Sequence, residues 1–110
     1  MQLKSNKAQA YTPEQESWRQ YLKAQTTEEE YEVLDCIATH ESRWQMKWNY
    51  MHSVNPTKYT AYGIFQMLES TARATDVTLD RMRPFDNIDL AVKLYRKSGA
   101  TPWLVADLCR

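Results

Sequence analysis

The strongest structural signal in the chain is the segment TTEEEYEVLDCIATHESRW, residues 26–44. Thr27 followed three positions later by Glu30 forms a capping box, and the acidic first turn suits the helix dipole. We expect a helix of roughly 18 residues to begin here. Apolar residues then recur at helical spacing, at Leu34, Ile37, Ala38 and Trp44. The pattern predicts an amphipathic helix and a mainly α-helical domain.

Glu41 lies on the apolar face of this helix, seven positions after Leu34 and three after Ala38. An ionised carboxylate buried without a partner is costly, so the group either finds a donor or stays protonated with a raised pKa. A protonated glutamate in a cleft can give a proton to the leaving oxygen of a glycosidic bond. The alternative is a glutamate at the edge of the stripe that pairs with a nearby basic side chain. The pattern alone leaves both open.

Composition narrows the classes of protein. The 110 residues form one domain, and two glycines, four prolines and 43% apolar residues favour a helical fold over a turn-rich one. Fourteen basic residues balance fourteen acidic ones, so no global field attracts nucleic acid. No apolar run reaches the roughly 20 residues of a membrane span. We expect a monomer without a membrane span.

The N-terminal quarter predicts a separate docking element. Residues 1–11 are polar and unpatterned, and TPEQ (residues 12–15) gives a capping box with proline at the first helical position. The short helix that follows has an apolar stripe of Trp18, Tyr21 and Leu22. We therefore divide the chain into residues 1–25, a tail and docking helix, and residues 26–110, the main domain.

Residues 47–62 lose the helical periodicity, which predicts a loop and a small hairpin. Gly63 opens the next segment, where backbone freedom is wanted. A short helix is expected around residues 68–74.

Two further helices are expected in the last quarter. Asp86 is expected to cap a helix that runs through Tyr95 and stops near Gly99. Thr101 and Pro102 then resemble the cap and first residue of a last helix.

The two cysteines, Cys36 and Cys109, are 73 positions apart and fit neither a CxxC redox pair nor a zinc site. They are either one disulfide or two buried thiols. A bridge would imply an oxidising place of work. His40 and His52 lack metal-ligand spacing, so we expect no metal and no cofactor.

Three segments in order, CIATHES (36–42), AYGIFQM (61–67) and GATPWLVADLC (99–109), resemble the lysozyme and lytic transglycosylase superfamily, whose members cleave peptidoglycan glycan strands. In that family a Glu-Ser pair ends a helix, and a Gly-(Leu/Ile)-(Met/Phe)-Gln segment faces it. Here these are Glu41-Ser42 and residues 63–66. The resemblance covers roughly residues 30–109. It implies an α+β lysozyme-like fold, with helices around a core and a small loop or hairpin lobe facing the catalytic helix across a cleft.

The resemblance also implies roles for individual residues. Glu41 would be the catalytic acid, and Gln66 would bind the sugar at the cleavage point. Ser42 is placed among the substrate-binding residues, where it would support the orientation of Glu41 or cap the end of the helix. Aromatic rings suit the apolar faces of sugars, and the candidates are Tyr62, Phe65, Tyr95, Trp48 and Tyr59. Packing in the core is the alternative role for each ring.

The cysteines are similar to a pair in animal-type lysozymes. Those proteins have a cysteine five residues before the catalytic glutamate, bridged to one that follows a tryptophan near the C-terminus. Cys36 and Cys109, the latter after Trp103, match this arrangement. The resemblance implies a Cys36–Cys109 disulfide.

One departure bears on mechanism. Those lysozymes place an aspartate two residues before the glycine of the motif, where this chain has Ala61. Lytic transglycosylases need no second carboxylate, because one glutamate acts as acid and then base while the substrate's 6-hydroxyl attacks the anomeric carbon. We therefore expect cleavage of the MurNAc-GlcNAc β-1,4 bond with a 1,6-anhydro product. The alternatives are a hydrolytic lysozyme, or a non-catalytic module that binds glycan or a partner.

The expected substrate is peptidoglycan in the periplasm or cell wall. The ending YRKSGATPW (95–103) is closest to short members of the superfamily that are associated with phages or secretion systems. The N-terminus lacks the apolar core of a secretory signal. Delivery by a virion or secretion apparatus, release by lysis, and prior removal of a signal are all open.

Overall fold

The computed structural model describes residues 10–50, 59–72 and 82–109, with the backbone alone for residues 49, 50, 59, 60 and 69. The helices are α1 (Pro13–Ala24), α2 (Glu28–Ser42), α3 (Glu69–Ala72), α4 (Pro84–Ser98) and a 3₁₀ helix (Leu104–Leu108). A three-stranded sheet consists of β1 (Trp48–Tyr50), β2 (Tyr59–Tyr62) and β3 (Met67–Leu68). The mainly α fold with a small β lobe is confirmed.

Both predicted capping boxes are present. Thr12 Oγ1 accepts from the Gln15 amide at 3.0 Å, and Gln15 Oε1 accepts from the Thr12 amide at 3.0 Å. The Thr27 and Glu30 pair repeats the exchange at 3.1 and 2.9 Å. Each box satisfies two amides that the helix itself leaves unpaired, which stabilises a helix by about 1 kcal/mol. Local sequence therefore fixes where α1 and α2 begin.

Helix α2 ends at Ser42, earlier than the predicted 18 residues, because the backbone turns left-handed at Arg43 (φ 56°) and Trp44 (φ 60°). The turn brings the fully buried Trp44 ring back over the helix, where its Nε1 donates to Asp35 Oδ1 at 2.8 Å. Gln15 of α1 donates to the Trp44 carbonyl at 2.9 Å. Trp44 thus belongs to the buried face without belonging to the helix.

The sheet is antiparallel, with strand order β1-β2-β3. Trp48 faces Tyr62 across the first pair, and Tyr62 faces Met67 across the second. The predicted hairpin is present in its two strands, although its connection, residues 51–58, lies outside the described residues. Strand β3 was not predicted, because a two-residue strand has no periodicity of its own.

Two predicted helix starts are wrong. Arg83, not Asp86, is the N-cap of α4, since Pro84 supplies the first residue and the Asp86 carboxylate accepts from the Arg83 amide at 2.9 Å. The final segment is a 3₁₀ helix that begins after Trp103, because the Trp103 amide bonds back to the Ala100 carbonyl at 3.0 Å in a turn.

The remaining predictions concern the end of α4 and the position of α3. Helix α4 ends at Ser98 and is capped by Gly99 (φ 66°), which confirms the predicted stop near Gly99. Helix α3 covers Glu69–Ala72, so the helix predicted over residues 68–74 is present, but its predicted first residue, Leu68, belongs to β3. Residues 73 and 74 lie outside the described residues.

The core lies where α1, α2 and α4 pack together and meet the loop after β2. Its fully buried members include Leu22, Leu34, Ile37, Trp44, Ile64, Phe65 and Ile88. Tyr21 is an exception to the predicted stripe of α1. It is exposed at the edge of the core, with its ring edge-on to Phe85 and its hydroxyl donating to Asp89 at 2.7 Å.

Cys36 and Cys109 form a disulfide, as the resemblance implied, with their Cα atoms 5.6 Å apart. The bridge ties the middle of α2 to the end of the 3₁₀ helix. Closing a loop of this length is worth about 4 kcal/mol in the chain-entropy model. Among the described residues, no helix is both long and apolar enough to pass through a membrane.

Candidate active site

Glu41 lies in the last turn of α2 and lines a cavity of about 360 Å³. The full lining is Thr39, His40, Glu41, Ser42, Arg43, Gln45 and Lys47. Burial raises the pKa of Glu41 above its ordinary value, and the positive charge of Lys47 partly offsets this rise. Within the described ranges, no donor forms a hydrogen bond with the Glu41 carboxylate. Its carboxyl group therefore favours the protonated state more than an exposed glutamate does.

Glu41 is less deeply placed than the sequence pattern predicted. Its side chain is half-buried, whereas Ser42 is 2% exposed. Ser42 lies four residues after the buried Ala38, so the buried face reaches the end of α2 at Ser42 and leaves Glu41 at its edge. This edge position gives the carboxyl group both partial desolvation and access from the cavity.

Ser42 joins the end of α2 to the loop that follows β2. Its hydroxyl donates to the Ile64 carbonyl at 2.7 Å and accepts from the Gln45 amide at 3.1 Å. Because the Ser42 side chain is buried and its hydroxyl already forms these hydrogen bonds, it does not present the hydroxyl to a substrate, contrary to the expectation of a substrate-binding role. It instead supports its neighbour, which was the other role the resemblance implied.

Residues 63–66, which we call the motif turn, are held in place by contacts with α4. Gly63 has φ 94°, and a Cβ atom there would overlap the amide of Asn87. Asn87 is fully buried, its Oδ1 accepts from the Phe65 amide at 2.7 Å, and its Nδ2 donates to the Tyr62 carbonyl at 3.1 Å. Sequence reasoning missed Asn87. The available signal was a polar residue beside Ile88 on the apolar face of α4.

Gln66 is a link between the motif turn and the segment that carries Lys47. With φ 51°, its Nε2 donates to the carbonyls of Lys47 at 3.0 Å and Gly63 at 2.9 Å. The Gly63 amide also donates to the Lys47 carbonyl at 2.9 Å. Gln66 Oε1 is buried and has no donor in the described part of the chain. Sugar binding by Gln66 stays a prediction.

The predicted aromatic site residues do not form one group. Trp48 and Tyr62 stack on the sheet, with ring centroids 3.9 Å apart and both side chains half-buried. Phe65 is fully buried against Trp44 and Trp103, so the expectation that its ring contacts substrate is not met.

The two remaining tyrosines contribute less to the site as described. Tyr95 packs partly buried against the core from α4 and does not line the Glu41 cavity. Tyr59 begins β2, and its side chain lies outside the description.

In the described part of the chain, the cavity lining holds no equivalent of the second carboxylate that a retaining glycosidase uses. Among the described lining residues, Glu41 is the one acid. Ala61, where the lysozymes carry aspartate, is 6% exposed and pairs with Leu68 across β2 and β3. The described arrangement supports chemistry with one carboxyl group.

The fold also brings His40 within 4.8 Å of the sulfurs of Cys36 and Cys109, a proximity that sequence spacing did not reveal. The two sulfurs are bonded to each other, and a disulfide does not supply the thiolates that a metal ion requires. The expectation of no metal site stays a prediction.

Comparison with known proteins identifies a family. The family model described as the transglycosylase SLT domain matches residues 17–101. The matched range holds Glu41, Ser42 and the motif turn, and it begins inside α1. No curated protein and no solved structure matches the chain.

Proposed function

Because the chain belongs to the transglycosylase SLT domain family, a glycan-cleaving family that acts on peptidoglycan, we propose that it is a peptidoglycan lytic transglycosylase with Glu41 as its catalytic carboxyl group. The proposed reaction cleaves the β-1,4 bond between N-acetylmuramic acid and N-acetylglucosamine. The observation that carries the proposal is a half-buried carboxyl group, without a hydrogen-bond partner among the described residues, lining an open cavity at the end of α2.

In the first step, Glu41 acts as a general acid. Its carboxyl group gives its proton to the glycosidic oxygen as the bond to the anomeric carbon breaks, so that N-acetylglucosamine leaves as an alcohol. Burial supports this step by raising the pKa of Glu41, which keeps a larger fraction of the group protonated than in an exposed glutamate.

In the second step, the Glu41 carboxylate acts as a general base. It takes the proton of the 6-hydroxyl of the muramic acid, and O6 bonds to the anomeric carbon to close the 1,6-anhydro ring. The proton returns to Glu41, so the catalyst is restored. Lys47 supports the carboxylate between the two steps, because its positive charge favours the ionised form.

In this proposal, the elements around Glu41 hold the motif turn in place and provide the surface that binds the sugar rings. The Ser42 to Ile64 hydrogen bond and the Asn87 contacts hold the motif turn against α2. Gln66, Trp48 and Tyr62 are the proposed contacts to the sugar rings, with Tyr59 on the same strand as Tyr62. The disulfide suits a protein that works in an oxidising place, such as the periplasm or cell wall.

The experiment that tests the reaction is mass spectrometry of the fragments released from purified cell walls by the full chain. The proposal expects muropeptides that end in 1,6-anhydromuramic acid, each one water lighter than a hydrolytic product. Reducing ends alone would assign the protein to hydrolysis, and would overturn the one-carboxylate reaction. Incubation of a purified hydrolytic muropeptide with the protein controls for loss of water after cleavage.

A further inference from the structure

A second cavity, of about 690 Å³, lies between α1 and α2. It shares four lining residues with the Glu41 cavity, namely Thr39, His40, Arg43 and Gln45. The two cavities are therefore adjacent and share part of their walls. We call the second cavity the side groove, and its other polar lining consists of Tyr11, Gln15, Arg19 and Asp35. Its volume lies in the range typical of ligand sites.

The side groove is held in shape by contacts between α1 and α2. Arg19 Nη2 pairs with Asp35 Oδ2 at 3.4 Å, and the guanidinium lies 4.3 Å from the centre of the Tyr11 ring. Asp35 is fixed in turn by the indole of Trp44. Gln15 donates to the Trp44 carbonyl. These contacts exist without a ligand, so a ligand would meet a preformed surface.

The charge of the side groove favours an anion. Its lining carries Arg19 and Arg43 against one acid, Asp35, together with His40. Arg19 is already paired with Asp35. Arg43 is exposed and makes no side-chain ion pair with any residue in the described ranges. Arg43 also lies at the junction with the Glu41 cavity, so its guanidinium is available to a ligand group that branches from the glycan.

We propose that the side groove binds the peptide stem of the muramic acid whose glycosidic bond is cut, with Arg43 pairing with a carboxylate of that stem. The inference rests on the proposed function and names the part of the substrate that the side groove binds. The stem branches from carbon 3 of the same sugar whose carbon 1 is attacked, so a stem must leave the glycan next to Glu41. The side groove adjoins the Glu41 cavity at Arg43 and reaches α1, so such a branch can enter it.

The groove also gives α1 a role beyond packing. Tyr11 and Gln15 line it and precede the matched range, residues 17–101. Part of the wall of the side groove therefore lies outside the family model, whereas the proposed contact, Arg43, lies within the matched range.

Binding without turnover tests the inference. The full chain carrying Glu41→Gln is titrated by calorimetry with two glycans, one with intact stems and the same strand after an amidase has removed them. We expect the glycan with stems to bind about tenfold more tightly, which is the size of one charge-assisted contact. Equal affinity for the two glycans, or binding of neither, would overturn the inference.

Matched charge variants identify Arg43 as the contact. Arg43→Gln in the Glu41→Gln background is expected to remove most of the preference for stems, and Arg43→Lys to keep part of it. Lys93→Gln removes one charge from an exposed position on α4 and is expected to leave the preference unchanged. An equal loss in the Arg43→Gln and Lys93→Gln proteins would show a general charge effect and refute the assignment.

The activity of the unmodified protein separates this inference from the proposed function. A protein that cleaves both glycans with equal kcat/KM keeps the proposed function and contradicts the stem groove. A protein that cleaves neither, while its Glu41→Gln form binds stems through Arg43, supports the groove and contradicts the proposed function.

Discussion

The two sides of the last turn of α2 are opposite in chemistry, although they are adjacent in sequence. On the inner side, Ser42 is buried and its hydroxyl both donates and accepts hydrogen bonds. On the outer side, Glu41 is half-buried, and its carboxylate accepts no hydrogen bond from any residue in the described ranges. A buried polar group that is fully paired specifies a structure, whereas a partly desolvated acid without a partner is free to exchange a proton.

The difference separates the residues that hold the site in place from those that we propose to act in it. The inner region comprises Ser42, the motif turn and Asn87, and its contacts are short and enclosed. The outer region comprises Glu41, Arg43 and Lys47, which line an open cavity. Changes to the inner region should alter stability, and changes to the outer region should alter activity and its dependence on pH.

Reduction of the Cys36–Cys109 disulfide should have the largest effect on stability. We expect a loss of about 4 kcal/mol in the free energy of unfolding, because the reduced unfolded chain gains the entropy of an open loop. Urea unfolding of the Cys36→Ser, Cys109→Ser double variant measures the loss. Turnover per folded molecule should change little, since the bridge lies on α2 away from the carboxyl group. Loss of turnover in a folded variant would contradict the separation of the two regions.

Replacement of Asn87 should have the second-largest effect on stability. Asn87→Ala leaves the buried Phe65 amide without its acceptor, and an unpaired buried amide costs about 1–3 kcal/mol. We expect this loss in urea unfolding, with wall clearing lower only in proportion to the folded fraction. Lys93→Ala on the exposed side of α4 is the matched control. A variant with full stability would show that Asn87 does not hold the turn.

Removal of the Lys47 charge should have the smallest effect. Lys47 lowers the pKa of Glu41, so Lys47→Gln should raise it and extend activity to higher pH. His40 and Arg43 line the same cavity and remain in the variant. We expect the alkaline limb of the kcat profile to move upward by less than about one pH unit. An unchanged limb, or a downward shift, would exclude Lys47 as a modulator of the acid.

Local signals predicted much of this molecule, and long-range contacts account for what they missed. The capping residues gave the starts of α1 and α2, and Gly99 gave the end of α4. The resemblance gave the disulfide pairing, and the catalytic role that it implies for Glu41 stays a prediction. Sequence periodicity overestimated the burial of Glu41, because it cannot show that the buried face of α2 continues to Ser42.

The contacts between elements were not predictable from spacing. Asn87 meets the motif turn from a helix 22 residues away from Phe65 in sequence, and nothing local marks that pairing. The side groove likewise needs α1 and α2 to pack together, which brings Arg19 to Asp35. Such pairings follow from the packing of whole helices, so they become visible only in the structure.

The most direct test of the account is the turnover of purified cell walls by Glu41→Gln beside Ser42→Ala, with the melting temperature of each. Since the folded pKa of Glu41 is raised, its protonated form stabilises the fold below the ordinary value of 4.5, and this contribution is lost as pH rises through the folded pKa. Glu41→Gln should therefore be as stable as the native protein, or more stable, at pH 7, with turnover lower by about 10²- to 10⁴-fold.

Ser42→Ala should show the opposite pattern, with a lower melting temperature and turnover that follows its folded fraction. This outcome would establish that adjacent residues hold and operate the site. Native turnover by a folded Glu41→Gln protein would contradict the account.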